Sequence, residues 1–410
     1  MEKEHLDFVI VGHVDHGKST LIGRLLYDTH SIPESIIEDV RETSKEHGKE
    51  MEFAYLLDSL KEEREQNITI DTTQTFFNTD KRDYIIIDAP GHKEFLKNMI
   101  TGASLASAGI LMIDSSQGLA EQTRRHAYIL SLLGVEQIIV AVNKMDLVDY
   151  KEEVYLDVKE KIEAFLKKIN LTPLHVIPVS AKEGDNIASR SSNLPWYKGS
   201  ILLEALDSLT APESLRRKPL RYPVQDVYKV DGRELVVGRI ECGEMRKGDT
   251  VEIYPSKEQA EIKTVEKWLQ KRSKAGAGDS IGITLQSDAT LKRGDVICTG
   301  SAPAIATQLD TTLFWMDTKP LDGKEQLTLK CATQEVPCVV ENIKERIDSS
   351  TLEILGENTD TIGEAEAGSV TIRTEQPLVV EDFNSIEGLG RFVFVRNEDI
   401  VAGGIIHGWA

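Results

Sequence analysis

The sequence predicts a mainly parallel, doubly wound α/β domain built around a P-loop, followed by two all-β barrels. Three observations carry that expectation. Short β-branched runs alternate with helical segments from residue 6 to about 210. A glycine-rich loop, Gly12 to Thr20, stands between the first such run and the first helix. Beyond about residue 212 helical periodicity gives way to short alternating strands punctuated by Gly-Asp pairs. The expected domains are 1–212, 213–302 and 303–410.

In the first domain the strand candidates are Phe8–Val11, Tyr84–Asp88, Ile110–Ile113, Ile138–Val142 and Val176–Val179. Helical patterns cover Leu21–Tyr27, Lys93–Thr101, Glu121–Leu133, Glu152–Ile169 and Ile201–Leu209. Alternation at that spacing implies a parallel sheet that binds ligands at the carboxyl ends of its strands. Ile32 to Gln66 is rich in Glu and Lys and reads as a solvated pair of surface helices.

Thr210 to Pro223, TAPESLRRKPLRYP, carries three prolines and little periodicity, and reads as a linker. The strands expected next are Leu235–Ile240, Thr250–Tyr254, Ile281–Leu285 and Asp295–Cys298, with turns at Gly248-Asp249, Gly278-Asp279 and Gly294-Asp295. A small-residue break near Ser301–Ala306 precedes Thr312–Met316, Leu327–Cys331, Val336–Ile343, Val370–Arg373 and Arg391–Val395. Two barrels, closed to hide their strand edges, account for this pattern.

The 410 residues leave room for two to four domains, with 40% hydrophobic and 28% charged residues, an ordinary globular balance. No run is long and apolar enough to span a membrane, and the N-terminus lacks signal-peptide character, so a cytoplasmic protein is expected. Cys242, Cys298, Cys331 and Cys338 show no CxxC spacing and are expected to be reduced thiols. A net charge of −20 disfavours non-specific nucleic-acid binding but leaves a specific RNA partner open.

The loop Gly12-His13-Val14-Asp15-His16-Gly17-Lys18-Ser19-Thr20 fits G-x-x-x-x-G-K-[ST] in the required strand–loop–helix context. Gly12 and Gly17 allow the backbone to curl so that its N–H groups converge on a polyphosphate. Lys18 is expected to neutralise the β and γ phosphates, and the Ser19 hydroxyl to hold Mg²⁺.

Four further motifs follow in order. Thr69, in Arg64–Ile70, can reach Mg²⁺ and the γ-phosphate. Asp88-Ala-Pro-Gly91-His92 ends a strand, where the carboxylate can hold a Mg²⁺-bound water and the Gly91 N–H can meet a γ-phosphate. Asn143-Lys144-Met145-Asp146 ends another. There Asp146 can accept hydrogen bonds from the N1–H and exocyclic amine of guanine, which adenine does not supply. Asn143 and Lys144 would brace the loop and cover the ring. Ser180-Ala181 closes the last strand, where a backbone N–H can meet the guanine O6. Together these predict a GTP/GDP site with Mg²⁺.

The motif set resembles the GTPases of the translation-factor superfamily. That resemblance implies that His92 orients the attacking water, that Thr69 and Asp88 order two switches around GTP and Mg²⁺, and that Asp15 lies near the β–γ bridge. Lys18, Thr69 and His92 become the catalytic candidates, and Ser19, Thr69 and Asp88 the metal ligands. Asn67 stands where the family nearly always has glycine; Asn tolerates positive φ better than other non-glycine residues.

Within the superfamily, Leu21–Asp28, Gln122–His126, Glu183–Ser189 and Leu194–Tyr197 are similar to the GTPase subunit of bacterial sulfate adenylyltransferase. That likeness implies a heteromer with an ATP-binding sulfurylase subunit, in which GTP hydrolysis drives synthesis of adenosine 5′-phosphosulfate. No S-G-G-x-D-S loop is present, so the partner would transfer the adenylyl group, coupled through switches near 60–72 and 88–102. His13, His16 and Ala89 look instead like a translation factor. The alternative is therefore an elongation-factor-like carrier of aminoacyl-tRNA. The basic clusters Arg216-Arg217-Lys218 and Lys271-Arg272-Lys274 are its candidate RNA contacts.

Overall fold

A computed structural model describes residues 4–46, 53–56, 74–88, 106–210, 215–230, 232–267, 270–286 and 289–410. The chain forms two compact units, Met1–Ala211 with Ser349–Thr351, and Pro212–Asp348 with Leu352–Ala410.

The first unit holds a six-stranded sheet of β1 (Glu4–Gly12), β2 (Gln74–Asn78), β3 (Arg82–Asp88), β4 (Ala108–Asp114), β5 (Gln137–Asn143) and β6 (Pro173–Pro178). Their spatial order is β2-β3-β1-β4-β5-β6. All neighbours are parallel except β2, which runs antiparallel to β3. Phe8 to Val11, at the centre, are at most 1% exposed, as expected of a strand covered on both faces. Flanking helices are α1 (Lys18–Asp28), α2 (Glu34–Glu46), α3 (Glu121–Leu132), α4 (Glu152–Lys168) and α5 (Leu202–Ser208). The carboxyl ends of β1, β4 and β5 lead directly into the loops that build the site.

Strand β2 was not expected, because Gln74, Thr75 and Asn78 give it a polar look. It is an edge strand that buries Phe77 and leaves Phe76 exposed. Helix α2 also departs from the solvated reading: Ile36 and Val40 pack into the core beside Leu21, Ile22 and Leu25 of α1. The expected helix Lys93–Thr101 lies outside the described residues.

The second unit contains two closed six-stranded antiparallel barrels. One runs Thr250–Tyr254, Val296–Cys298, Arg221–Val230, Arg233–Arg239, Ser280–Gln286 and Glu258–Lys267, the last pairing back to the first. The other runs Leu327–Cys331, Arg391–Arg396, Asp399–Trp409, Ala304–Trp315, Glu366–Val380 and Gln334–Asp348, again closing on the first. The three Gly-Asp turns share one device. Asp249, Asp279 and Asp295 each accept, on a side-chain oxygen, the N–H of the residue three positions earlier, at 2.7–3.0 Å. The preceding glycines sit at φ 88–95°, where a Cβ would be strained.

The linker reading fails at its end. Arg221 and Tyr222 already belong to a barrel strand, and Arg221 is 1% exposed. Its guanidinium pairs with Glu381 at 2.6 Å and donates to the carbonyls of Leu220, Thr299 and Ser301. A charged residue beside two prolines looks solvated in sequence; here it clips the first barrel to the second. All four cysteines are free and buried, and burial pushes their thiols up to about 11 for Cys242 and about 12 for the others.

Candidate nucleotide-binding site

The phosphate loop is shaped by the three residues best able to bend it. Gly17 takes φ 91° and Asp15 φ 65°, left-handed conformations that curl the backbone tightly at these two positions. Gly12 is fixed by crowding, since a Cβ there would stand 2.8 Å from the Met112 carbonyl. A Cβ on Gly17 would meet Asn143 Nδ2 at 2.5 Å. Helix α1 then begins at Lys18, so Ser19 and Thr20 lie in a first turn whose N–H groups have no intrahelical acceptor. Lys18 Nζ donates to the carbonyls of Gly12 and His13 at 2.8 and 2.9 Å, which folds its ammonium over the loop.

Val14 is half-buried and Asp15 exposed. His16 is fully buried, with Nδ1 3.1 Å from the Met112 carbonyl, and His13 packs edge-on against it. Burial lowers the His16 pKa. His126, from α3, lies buried in the same neighbourhood and is pushed down to about 3, first by burial and then by Lys18, His13, His16 and Arg125. His16 and His126 are therefore neutral at physiological pH.

The second half of the site is assembled by Asn143. Its Nδ2 donates to the His16 carbonyl at 2.8 Å, and its Oδ1 accepts from the Ala181 N–H at 2.9 Å. One buried carboxamide thus ties the phosphate loop to the end of β6. Asp146 accepts from the Ser180 hydroxyl at 2.6 Å through Oδ1. Lys144, in the left-handed region at φ 63°, pairs with Asp114 Oδ2 at 2.8 Å. Burial would raise the Asp114 pKa. Hydrogen bonds from Lys144 and Ser116 outweigh it and hold the carboxyl below its ordinary value.

The structure therefore gathers Gly12 to Thr20, Asn143, Lys144, Asp146, Ser180 and Ala181 at one edge of the sheet. Thr69, Gly91 and His92 lie outside the described residues, as does the Asp88 side chain. Asp114 was not singled out from sequence; its only signal is a carboxylate at the end of a β-branched strand. Tyr150 was also missed. Its hydroxyl donates to Asp185 at 2.7 Å and braces the turn after Ser180.

The groups described fit a guanine nucleotide: convergent N–H groups and an ammonium at one end, and a carboxylate set by a hydroxyl at the other. Of the expected metal ligands, Ser19 alone has a described side chain, at the start of α1, where a Mg²⁺-bound triphosphate would meet it.

The elongation factor Tu GTP binding domain family matches residues 3–212. Elongation factor Tu domain 2 matches 233–298, and the GTP-eEF1A C-terminal domain-like family matches 308–407. Elongation factor 1-alpha of Methanopyrus kandleri is 42% identical, covering 98% of this chain and 97% of that protein. Those of Natronomonas pharaonis and Pyrococcus furiosus are 40% and 41% identical, covering 98% and 99% of this chain and 97% and 98% of theirs. The chain belongs to the elongation factor Tu/1-alpha family of GTPases. Members of this family bind GTP and GDP, typically with Mg²⁺.

Family membership corrects the expected assignment to sulfate adenylyltransferase and, with it, the ATP-binding sulfurylase partner. Full-length likeness runs to elongation factor 1-alpha instead. The structure explains why the favoured stretches misled. Leu21, Ile22, Leu25 and Leu26 of α1, and Gln122, Thr123 and His126 of α3, are buried. They report how this fold packs, not which partner it serves. The translation-factor residues His13 and His16 sit in the phosphate loop itself. No helix among the described residues is long and apolar enough to cross a membrane.

Proposed function

We propose that this protein is a translational elongation GTPase that carries aminoacyl-tRNA in its GTP-bound state and releases it after hydrolysis. The observation that carries this reading is the likeness to elongation factor 1-alpha over 98% of the chain, through the GTPase domain and both barrels.

In the proposed site, the N–H groups from Asp15 to Thr20 and the Lys18 ammonium hold the phosphates. Asp146, aligned by Ser180, accepts from the guanine N1–H and exocyclic amine. Asn143 keeps these two ends in register. Mg²⁺ would be held by Ser19, Thr69 and Asp88, where it neutralises charge on the β and γ phosphates. Gly91 would donate its N–H to the γ-phosphate, and His92 would orient the attacking water. The γ-phosphate orders the segments bearing Thr69 and His92, so its loss resets the carrier.

Ester protection tests the reading. With GTP bound, the protein should slow spontaneous deacylation of aminoacyl-tRNA; with GDP bound it should not. Equal deacylation in both states, with GTP binding intact, would remove the carrier function.

A further inference from the structure

Arg24 lies outside the nucleotide motifs yet contacts its own helix, Phe53 and the turn after Ser180. It stands on α1, six residues beyond Lys18. Its Nε donates to both carboxylate oxygens of Asp28 at 2.9 Å, which fixes the side chain along its own helix. Its guanidinium carbon lies 4.8 Å from the centre of the Phe53 ring. Beneath it Gly23 lets the backbones close, since a Cβ there would be 1.9 Å from the Phe53 carbonyl. The far end of Arg24 reaches the turn after Ser180. Nη1 approaches the Lys182 carbonyl at 3.4 Å, and the fork lies flat against Gly184, where a Cβ would stand 2.1 Å from Nη2.

That turn sets the base end of the site. The N–H groups of Gly184 and Asp185 both donate to the Ser180 carbonyl, at 2.8 and 3.1 Å. The Ser180 hydroxyl in turn aligns Asp146. A shift of residues 182–184 therefore passes to Asp146 through two hydrogen bonds, while Lys18 holds the phosphate loop through the carbonyls of Gly12 and His13.

We propose that Arg24 is a positioning residue for guanine selectivity, clamping the 182–184 turn to α1 so that Ser180 holds Asp146 on the base. The inference rests on the nucleotide site proposed above. Lysine is no substitute: one ammonium cannot bond Asp28 side-on, stack on Phe53 and lie flat on Gly184 together.

The test compares affinities for GDP and for inosine 5′-diphosphate, which lacks the exocyclic amine that Asp146 accepts. The full-length wild type, Arg24→Ala, Arg24→Lys and Gly184→Ala are measured. Arg24→Ala should weaken GDP about tenfold and the inosine nucleotide less than about threefold, with Arg24→Lys behaving similarly. Gly184 sits at φ 84°, so Gly184→Ala carries backbone strain in either background. The further loss of GDP affinity from its clash with the guanidinium should appear in the wild-type background and vanish when combined with Arg24→Ala. Equal losses for both nucleotides would mean that Arg24 only supports the fold, and unchanged affinity for both would mean that the clamp does not exist; either overturns the proposal. Failure of the wild type to prefer GDP would overturn the site reading as well, and so is distinguishable from failure of the clamp alone.

Discussion

Removing the Asn143 carboxamide would strand two buried backbone groups at once, the His16 carbonyl and the Ala181 N–H. Each lost partner costs on the order of 1–3 kcal/mol. Asn143→Ala is therefore expected to lower the stability of the nucleotide-free protein by about 2 kcal/mol or more, read by urea denaturation. It should weaken guanine nucleotides in parallel. A variant as stable as the wild type would show that the carboxamide is not the tie between the two loops. His92→Ala makes the opposite split. Under the proposed role it keeps GTP affinity and slows single-turnover hydrolysis by about tenfold or more. The phosphate loop and the N-K-x-D run could be read from sequence because local backbone and base chemistry demand those residue types at fixed spacing. Asp114 and Arg24 could not, since each acts on a residue far along the chain, Lys144 and Gly184, and only the folded sheet brings them together.

Helix α3 brings a buried imidazole close to the phosphate loop, and that placement predicts an acid sensitivity. His126 titrates at about 3 in the folded protein, against an ordinary value near 6.5. The unfolded chain therefore takes up this proton first. The stability gained by keeping His126 neutral is complete above about pH 6.5 and is lost as pH falls toward 3, by about 1.4 kcal/mol per pH unit. His126→Leu should flatten the pH dependence of the melting temperature in that window. A wild-type slope in the variant would assign the acid loss to other groups. At this scale the sequence was legible where burial is two-sided. The central strands read as unbroken apolar runs, and α3 and α4 emerged within a residue of their ends. Strand β2 was not legible, because an edge strand with one exposed face carries only Phe77 as an apolar anchor.

Among the described residues, the largest fully buried charged side chain, Arg221, lies between the two barrels. Arg221 meets Glu381 and three carbonyls, so truncation leaves a carboxylate and several acceptors without partners. Arg221→Ala is expected to cost about 3 kcal/mol or more in the barrel unit, measured by urea denaturation, whereas Arg221→Met should cost less in packing. A loss below about 1 kcal/mol would show that the pair is solvated in solution. The three-domain plan was legible from the change in periodicity near residue 212. The process served was not, because residues that favoured sulfate activation, Leu21, Ile22, Leu25 and Leu26 of α1 among them, pack into the core. Asp146 joins the nucleotide site to the proposed carrier function. The decisive measurement is protection of the aminoacyl-tRNA ester by Asp146→Asn in the presence of GTP or of xanthosine 5′-triphosphate. The xanthosine nucleotide is expected to support protection in this variant, and GTP no longer to do so. Protection that still follows GTP in this variant would contradict it.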